Sequence, residues 1–459
     1  MSDTQMTMED NPLRYENTGV LLRRFAVPSI VAMLVSSLYN IVDQIFIGQG
    51  VGYLGNAATI VAFPFVSICL AIGLLIGIGS AATYSLDLGR GNKKKAEQSV
   101  GNAIWLITIL GMLLLVVVLL FKEQMLTAFG ATKTVMPYAL DYVGITAVGM
   151  PFLIFLNGFS ALIRADGRPK YSMMVMVVGA VINTILDPIM IFNLDMGVRG
   201  AALATTISQV ISAVLAFIYI FRFKQVKLSR KSFVFNISEC LTQISLGLSN
   251  SLNQVAICLV QIVMNNSLTY YGQQSIYGAD IPLSACGIVM KVNGIMISIF
   301  VGMAQGAQPI TGFNYGAKQF DRVKQVYYKA ITTSFILACV GFACFQLIPH
   351  QIVSLFGTGE PLYFQFAEKF MRTFLFMMPL VGIQIISSNF FSAIGKPVKG
   401  VVLSLSRSVL FIIPLMLILP LFGGIEMILF AGPIADLLAF LIAVVLIFIE
   451  FKKMKPHKE

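Results

Sequence analysis

Apolar runs of about twenty residues recur along the whole chain and are separated by short polar segments. Each run is long enough to cross a hydrocarbon core of about 30 Å as an α-helix. The runs lie near residues 21–47, 58–83, 100–121, 135–162, 171–193, 200–221, 242–270, 283–312, 327–348, 363–394, 398–421 and 427–450. The pattern predicts an all-α integral membrane protein with about twelve transmembrane helices.

The second half of the chain repeats the first with an offset near 227 residues. Met150-Pro151 recurs as Met378-Pro379, and the loop Gly167–Pro169 recurs as Gly395–Pro397. Each copy holds six predicted spans, an even number, so both copies begin on the same side of the membrane. We therefore predict two pseudo-symmetric six-helix lobes that rock about a central cleft, as transporters do. A duplicated channel or scaffold is the alternative interpretation.

A charged segment after the sixth span divides the two copies. We predict a loosely ordered cytoplasmic tail over residues 1–18, an N-lobe over 19–221, a cytoplasmic linker over 222–239, a C-lobe over 240–451 and a basic cytoplasmic tail over 452–459. The first span is too long for a signal-peptide core and follows a polar segment, so we expect no cleaved signal.

Composition and charge agree with a membrane protein of defined orientation. The chain is 57% hydrophobic and 12% charged, whereas soluble domains are about 45–50% apolar and about 25% charged. With the N-terminus inside, 25 Lys and Arg side chains, Arg164 among them, fall in inner segments and three in outer loops. The positive-inside rule then places both termini in the cytoplasm. The net charge of +11 therefore reflects topology, and we expect no nucleic-acid partner.

Metal chemistry is not indicated by the residues that usually carry it. The two histidines and six cysteines show neither metal-ligand spacing nor the spacing of a disulfide framework. We therefore expect no cofactor and no bound metal, unless Na⁺ occupies the acidic site described next.

An aspartate within the fifth span is the strongest functional signal. Asp187 lies in an otherwise apolar stretch and is followed at once by Pro188. Ionisable groups inside membrane spans are costly and usually face a cavity or a partner. Pro188 has no N–H, so the carbonyl of Thr184 loses its helical hydrogen bond. Asn183 lies one turn before Asp187 on the same face. These oxygens form a nest that could hold a proton or a small cation.

Two further polar residues are predicted at the depth of Asp187. Counting about 1.5 Å per residue from the outer end of each span places Asp43, Asp187 and Thr205 about 8–9 Å below the outer edge. Two carboxylates in one dry pocket cannot both be comfortably ionised, so a proton or cation is expected between them. A structural hydrogen-bond cluster that stabilises a kinked helix is the competing interpretation, although a single Asn or Ser would suffice for it.

The second half carries different polar groups. Its seventh span contains amides such as Gln254 but no carboxylate, and its membrane charges are Lys291, Arg407 and Asp436. Arg407 and Asp436 fall at similar depths and could pair, so structural pairing and substrate contact are both open for these charges. The residues that we take as candidate substrate contacts are Asn40, Gln254, Met290, Lys291 and Arg407.

Several motifs resemble those of the multidrug and toxic compound extrusion (MATE) family, and the likeness extends over about residues 14–450. They are Leu38–Gly48 in the first span, Asn183–Pro188 with Gly197–Ala202 around the fifth loop, and Gln308–Ala317 at the end of the eighth span. The chain is most similar to the MepA-like branch of that family. The resemblance implies the MATE fold, with twelve helices in two six-helix lobes, and export of cationic, amphipathic drugs and dyes against H⁺ or Na⁺ influx.

The resemblance also implies roles for individual residues. It assigns cation coupling to Asp43, Asn183, Asp187 and Thr205, which occupy the matching motif positions. Arg407 fits a basic position that is usual in the eleventh helix of the family.

One branch of the family carries an acidic residue on the seventh helix for sodium, where this chain has Gln254 and neighbouring amides. The departure favours coupling through the N-lobe. We therefore expect a multidrug exporter of the cytoplasmic membrane that works by antiport with H⁺ or Na⁺ and is not an enzyme. Its expected partners are cationic or amphipathic drugs and membrane lipid, and we expect a monomer.

A flippase for lipid-linked saccharides of the same superfamily is the alternative function. Such a carrier would line its cleft with several Arg or Lys side chains to hold diphosphate, and only Lys291 and Arg407 qualify. An intramembrane enzyme is disfavoured because no histidine lies at a useful depth. A scaffold would leave Asp43 and Asp187 unexplained.

Overall fold

The structure is a computed structural model that describes residues 11–355 and 360–454, and within these residues the regular elements are all helical. Within this part of the chain, eleven helices are long and apolar enough to cross a membrane, and one bent helix pair supplies a twelfth span. The predicted all-α membrane fold with about twelve spans is confirmed. Residues 1–10 and 455–459, which belong to the two predicted tails, lie outside the described part of the chain.

Six spans form the N-terminal half. They are α1 (Thr18–Gly50), α2 (Tyr53–Gly89), α3 (Lys93–Ala128), α4 (Met136–Ala165), α5 (Pro169–Pro188) and α6 (Gly197–Ile218). Three short elements accompany them: a helix at Pro12–Tyr15, a π-helical turn at Ile189–Asn193 and a 3₁₀ turn at Tyr219–Arg222.

Six more spans form the C-terminal half. They are α7 (Ile237–Gln273), α8 (Asp280–Gly316), α9 (Phe320–Leu347), α10 (Pro361–Phe374 with Met378–Ala393), α11 (Pro397–Leu405 with Ile413–Ile418) and α12 (Ala431–Lys453). The shorter elements are Arg230–Phe233, Pro349–Ser354, the π-helical turn Ser406–Ile412, Pro420–Gly423 and Ile425–Ile428.

Two boundaries differ from the sequence prediction. The span predicted as one helix near 363–394 is broken, because its two halves meet at an angle of 50°. Pro379 lies in the first turn of the second half, where a missing N–H is tolerated and a helix can restart. Helix α7 begins at Ile237, inside the predicted linker, because the Asn236 side chain accepts hydrogen bonds from Ser238 N and Glu239 N and caps the helix.

Each lobe contains a π-helical turn beside a proline. In the N-lobe the turn Ile189–Asn193 follows Pro188, and in the C-lobe the turn Ser406–Ile412 ends two residues before Pro414. Proline lacks the N–H that an α-helical ladder needs, and π-helical turns are frequent at functional sites. The N-lobe turn begins two residues after Asp187, so the irregular backbone lies next to the predicted cation site.

Both described chain ends lie at the same end of the helix bundle, which we call the terminal end. Asn314 Nδ2 donates a hydrogen bond to Leu13 O (3.0 Å), and Lys324 Nζ donates one to Met454 O (3.0 Å). The N-terminal segment is therefore held against α8 and α9, and the C-terminal end of α12 is held against α9.

The expectation of a loosely ordered tail is wrong for residues 11–18. Leu13 is buried, and the Arg322 guanidinium donates hydrogen bonds to the carbonyls of Leu13 (3.1 Å) and Glu16 (2.6 Å). Asn11 caps the short helix that follows by accepting a hydrogen bond from Leu13 N. These backbone bonds fix the segment onto the C-lobe.

The two lobes approach most closely at the terminal end, where glycines remove the side chains between helices. A Cβ atom on Gly247 of α7 would lie 1.7 Å from Leu75 O of α2, and one on Gly79 of α2 would lie 1.8 Å from Gln243 O of α7. The equivalent helix pair, α1 and α8, meets in the same way at Gly302, whose Cβ would lie 2.6 Å from the Ile30 Cα. Backbones in contact leave no room for an open passage between the lobes at this end.

These contacts predict that the lobes separate when a methyl group is placed between them. Gly247→Ala should lower the free energy of unfolding by about 1–3 kcal/mol, the usual effect of overpacking a tight contact. Thermal unfolding of the purified protein in detergent measures this as a lower Tm. Gly287→Ala is the matched control, because a Cβ there meets no atom within 4 Å. A Tm for Gly247→Ala at or above that of the control would contradict the analysis.

Candidate functional site

The structure brings the four predicted cation-coupling residues together from three helices. Asn183 Nδ2 lies 3.3 Å from Asp187 Oδ1 and 3.3 Å from Thr205 Oγ1, and it donates to both. The carboxyl groups of Asp43 and Asp187 lie within hydrogen-bonding reach of each other. Helices α1, α5 and α6 thus present two carboxyls, one amide and one hydroxyl to a common point.

The local sequence explains this geometry. Asn183 and Asp187 are four residues apart in α5, so they lie on one face of the helix, one turn apart. This face is fully buried, since Asp187 is 0% exposed and Asn183 is 1% exposed. Asp43 and Thr205 are half-buried and complete the cluster from the two neighbouring helices.

Three oxygens of the cluster have no hydrogen-bond donor among the described residues. They are Oδ1 of Asp43, Oδ1 of Asn183 and Oδ2 of Asp187, and all three are buried. A buried acceptor without a partner is strongly unfavourable, and two adjacent carboxylates repel each other. A proton or a small cation would relieve both penalties, so the residues present fit such an ion.

A cavity of about 130 Å³ opens beside this cluster inside the N-lobe. Asp43 and Thr205 are among its lining residues, together with Asn40, Tyr39 and Tyr142. The Tyr142 hydroxyl contacts the Thr205 side chain. The cavity therefore gives a small hydrated species access to the oxygen cluster.

Two of these lining residues were missed in the sequence. Tyr39 lies one turn before Asp43, so the spacing of four residues in α1 could have identified it. Tyr142 carries no such signal, because no carboxylate lies one turn away from it in α4. Only the packing of α4 against α6 places its hydroxyl beside Thr205.

In the C-lobe, the structure joins Arg407 and Asp436 in an ion pair. Arg407 Nε lies 2.5 Å from Asp436 Oδ1, and Asp436 is 4% exposed. Arg407 lies in the π-helical turn of α11, and Asp436 lies in α12. Of the two alternatives left open by the sequence, the structure contains the pairing.

The remaining candidate substrate contacts lie in different environments. Asn40 is exposed and lines the N-lobe cavity. Gln254 is half-buried on α7, and Met290 packs against the hydrophobic core of the C-lobe. Lys291 is exposed on α8 and forms no ion pair within the described residues.

One charge placed on the inner surface by the sequence analysis lies inside the protein instead. Arg164 was counted with the inner-loop charges, but it is only 4% exposed. The reason is that α4 extends to Ala165, three residues beyond the predicted end at 162, so Arg164 occupies its last turn among neighbouring helices. Its Nη1 donates a hydrogen bond to Ser172 Oγ at 3.2 Å.

Comparisons of the sequence with known proteins agree on one family. A family model described as MatE matches residues 28–189 and 254–418, which together cover most of both lobes. The multidrug export protein MepA of Staphylococcus aureus (strain NCTC 8325 / PS 47) is 26% identical over 446 residues, covering 96% of this chain and 97% of that protein. MepA of Staphylococcus haemolyticus (strain JCSC1435) is 26% identical over 455 residues, covering 96% of each.

Comparisons of the structure show the same fold. A crystal structure of a MATE in complex with MaL6 superimposes with a TM-score of 0.90 at 22% identity, covering 96% of this chain and 98% of that one. An outward-facing multidrug resistance MATE family transporter of the MOP superfamily gives a TM-score of 0.89 at 22% identity, with coverages of 96% and 99%. The structure also superimposes on a MOP superfamily transporter from Pyrococcus furiosus with a TM-score of 0.90 at 22% identity, covering 96% of this chain and 98% of that one. The binding pocket of that transporter has reverse polarity, which suggests a different function for it.

The Arg407–Asp436 pair predicts a clear result for a double-mutant comparison. Arg407→Met alone would leave a buried, unpaired carboxylate and should lower the free energy of unfolding by about 3–5 kcal/mol. Replacing both residues, as Arg407→Met with Asp436→Leu, should restore the Tm because no uncompensated charge remains. If the double variant recovers both the Tm and drug export, the pair is structural. If it recovers the Tm but not export, the pair contacts the transported molecule.

Proposed function

This chain belongs to the MatE family of membrane transporters, and from that premise we propose that it exports cationic, amphipathic drugs across the cytoplasmic membrane by antiport with H⁺ or Na⁺. The observation that carries the proposal is the cluster of Asp43, Asn183, Asp187 and Thr205 with its three partnerless oxygens. Export by the MepA proteins, which match over nearly the whole chain, supports the drug as cargo.

The proposed coupling ion binds at the two carboxyls. With both groups ionised, each carboxylate raises the energy of the other, and a single positive charge between them removes the repulsion. A proton held between Asp43 and Asp187 would do this, and so would Na⁺ coordinated by their oxygens with those of Asn183 and Thr205. Hard cations of this kind prefer oxygen ligands.

The proposed drug site is the cleft between the lobes. Pockets for drug-sized ligands measure about 300–1,000 Å³, whereas the N-lobe cavity measures about 130 Å³, enough for an ion and a few waters. Asn40 is exposed and also lines the cavity, so it marks the boundary between the two sites. A cationic drug in the cleft is attracted by the ionised carboxylates, and this attraction ends when the coupling ion neutralises them.

The direction of exchange follows from the closed end of the bundle. The lobes meet at the terminal end, and the positive-inside rule predicts that this end faces the cytoplasm. In this state a cation from outside would reach Asp43 and Asp187 and displace the drug outward. Opening of the terminal end would then release the ion inside and admit the next drug, as the rocking of two lobes about a central site allows.

Neutralising either carboxyl should abolish coupled export. Asp43→Asn and Asp187→Asn each keep the shape of the side chain but remove the charge that the cation balances. The effect is measured as dye uptake into inverted vesicles that contain matched amounts of protein. Uptake is driven first by an imposed pH gradient and then by a sodium gradient. Asp141→Asn is the control, because Asp141 pairs with exposed Arg199 outside the cavity and should retain wild-type export. Wild-type export in the Asp187→Asn variant would contradict the proposal.

Removal of the Thr205 hydroxyl should distinguish Na⁺ from H⁺ as the coupling ion. Thr205→Val keeps the shape of the residue and removes one oxygen that Na⁺ would need, whereas a proton needs only the carboxyls. If Na⁺ is the coupling ion, sodium-driven export should fall by about tenfold or more. If H⁺ is the coupling ion, export driven by the pH gradient should stay close to wild type. Loss of both modes in a correctly folded variant would contradict a role of Thr205 as an ion ligand.

A further inference from the structure

The guanidinium of Arg164 is a buried charge that the proposed transport cycle does not use. Arg164 is 4% exposed, its described hydrogen bond is the one to Ser172 Oγ, and it forms no ion pair with any described acidic residue. Arginine stays protonated in proteins, and buried charges are normally paired. An unpaired one inside a lobe therefore calls for a reason.

The nearest acidic residue in sequence does not neutralise it. Asp166 accepts hydrogen bonds from the hydroxyls of Tyr84 (2.6 Å) and Tyr219 (2.7 Å) and from the backbone N–H groups of Lys224 (2.8 Å) and Gln225 (3.0 Å). The two backbone donors hold the linker against the N-lobe, and the four donors together occupy both carboxylate oxygens. The positive charge on the neighbouring arginine thus remains uncompensated.

Arg164 lines a second, smaller cavity of about 10 Å³. Ser160 and Gln305 line it as well, and Oγ of Ser160 and Oε1 of Gln305 have no hydrogen-bond partner among the described residues. A space of this size holds about one water molecule. The guanidinium therefore faces a polar opening that can take a water but no larger ligand.

The small cavity adjoins the cavity of the cation site. Asn157 of α4 and Met176 of α5 line both. On α1 the small cavity is lined by Met33, and the larger one by residues up to Asp43, further from the terminal end. On α2, α4 and α5 the residues that line the small cavity likewise lie nearer the terminal end than those that line the larger one. The two cavities thus form a row that begins at Asp43 and ends at Arg164.

We propose that Arg164 is an electrostatic barrier, whose fixed positive charge keeps the coupling cation from leaving the N-lobe cavity through the lobe toward the terminal end. The inference rests on the proposed binding of a cation at Asp43 and Asp187. An exchanger must prevent its driving ion from crossing alone. A row of polar residues along the N-lobe, bordered by Gln305 of α8, would be such a shortcut. A fixed arginine excludes cations and protons from narrow pores by the same electrostatic effect.

Two substitutions of Arg164 distinguish the effect of its charge from the effect of its packing. Arg164→Gln removes the charge and keeps much of the side chain, and Arg164→Lys keeps the charge in a different shape. Neither change leaves an orphaned carboxylate, because no acid pairs with Arg164, so both variants should fold. Arg168→Gln is the matched control, since it removes the same charge four residues away at an exposed position.

The experiment measures cation uptake by proteoliposomes without any drug. Purified protein is reconstituted with a pH-sensitive dye inside, and an inward H⁺ gradient is imposed under a potassium–valinomycin clamp. A parallel arm follows uptake of radioactive Na⁺. Arg164→Gln should raise uptake of the coupling ion by about tenfold or more over wild type, because a unit charge no longer opposes its passage. Arg164→Lys and Arg168→Gln should stay at the wild-type rate.

A double variant tests the route of the leak. Arg164→Gln combined with Asp43→Asn should return uptake to the low rate, because the leak would pass the carboxyl cluster. The inference is overturned if Arg164→Gln leaks no more than wild type, if Arg164→Lys leaks equally, or if Asp43→Asn leaves the leak unchanged. Gradient-driven drug export by the wild-type protein is measured in the same vesicles. If the wild-type protein exports no drug, the proposed function is overturned. If it exports drug but Arg164→Gln leaks no more cation than wild type, only this inference is overturned.

Discussion

Uncompensated charge inside an apolar helix bundle is the constraint on which the rest of this structure depends. The C-lobe resolves it internally, because Asp436 is paired with Arg407 and the buried Glu450 is paired with Lys396 and Lys399. The N-lobe does not, since neither Asp43 nor Asp187 forms an ion pair with a Lys or Arg of the described residues. Two lobes with the same helix order thus differ in charge balance, and the proposed ion site lies in the lobe that has the imbalance.

The close contacts at the terminal end give that imbalance a direction. Glycines place α2 against α7 and α1 against α8 with no side chain between them, so the lobes are sealed over that half. The hydrogen bonds between the lobes in the described chain, such as Gln308 Nε2 to Ile78 O at 3.0 Å, lie in the same half. Small residues at such interfaces allow backbones to approach within lipid. The seal also contains a charge pair, in which Lys95 Nζ of α3 lies 3.9 Å from Glu239 Oε1 of α7.

The sequence predicted the features that depend on position along a helix. The spans follow from hydropathy, and the common depth of Asp43, Asp187 and Thr205 follows from the constant rise of an α-helix. It could not predict features that depend on what a helix end packs against. Arg164 appears in the sequence as a solvated charge, and Tyr142 appears as an ordinary aromatic residue, because hydropathy does not distinguish a buried last turn from an exposed one. The bend in α10 was missed because apolar residues continue across it.

The position of Gln305 connects the proposed barrier with the proposed opening of the lobes. It is the residue of α8 that lines the small cavity beside Arg164, and it lies between Gly302 and Gly306, which contact α1 at Ile30 and Ala26. Separation of α1 from α8 would therefore withdraw Gln305 and open the small cavity to water. Hydration would then reduce the field of the guanidinium, because charges interact more weakly at high dielectric. The movement that separates the lobes would thus also lower the electrostatic barrier to ion release. In the sealed state, the closed lobes and the charge of Arg164 would both block the ion.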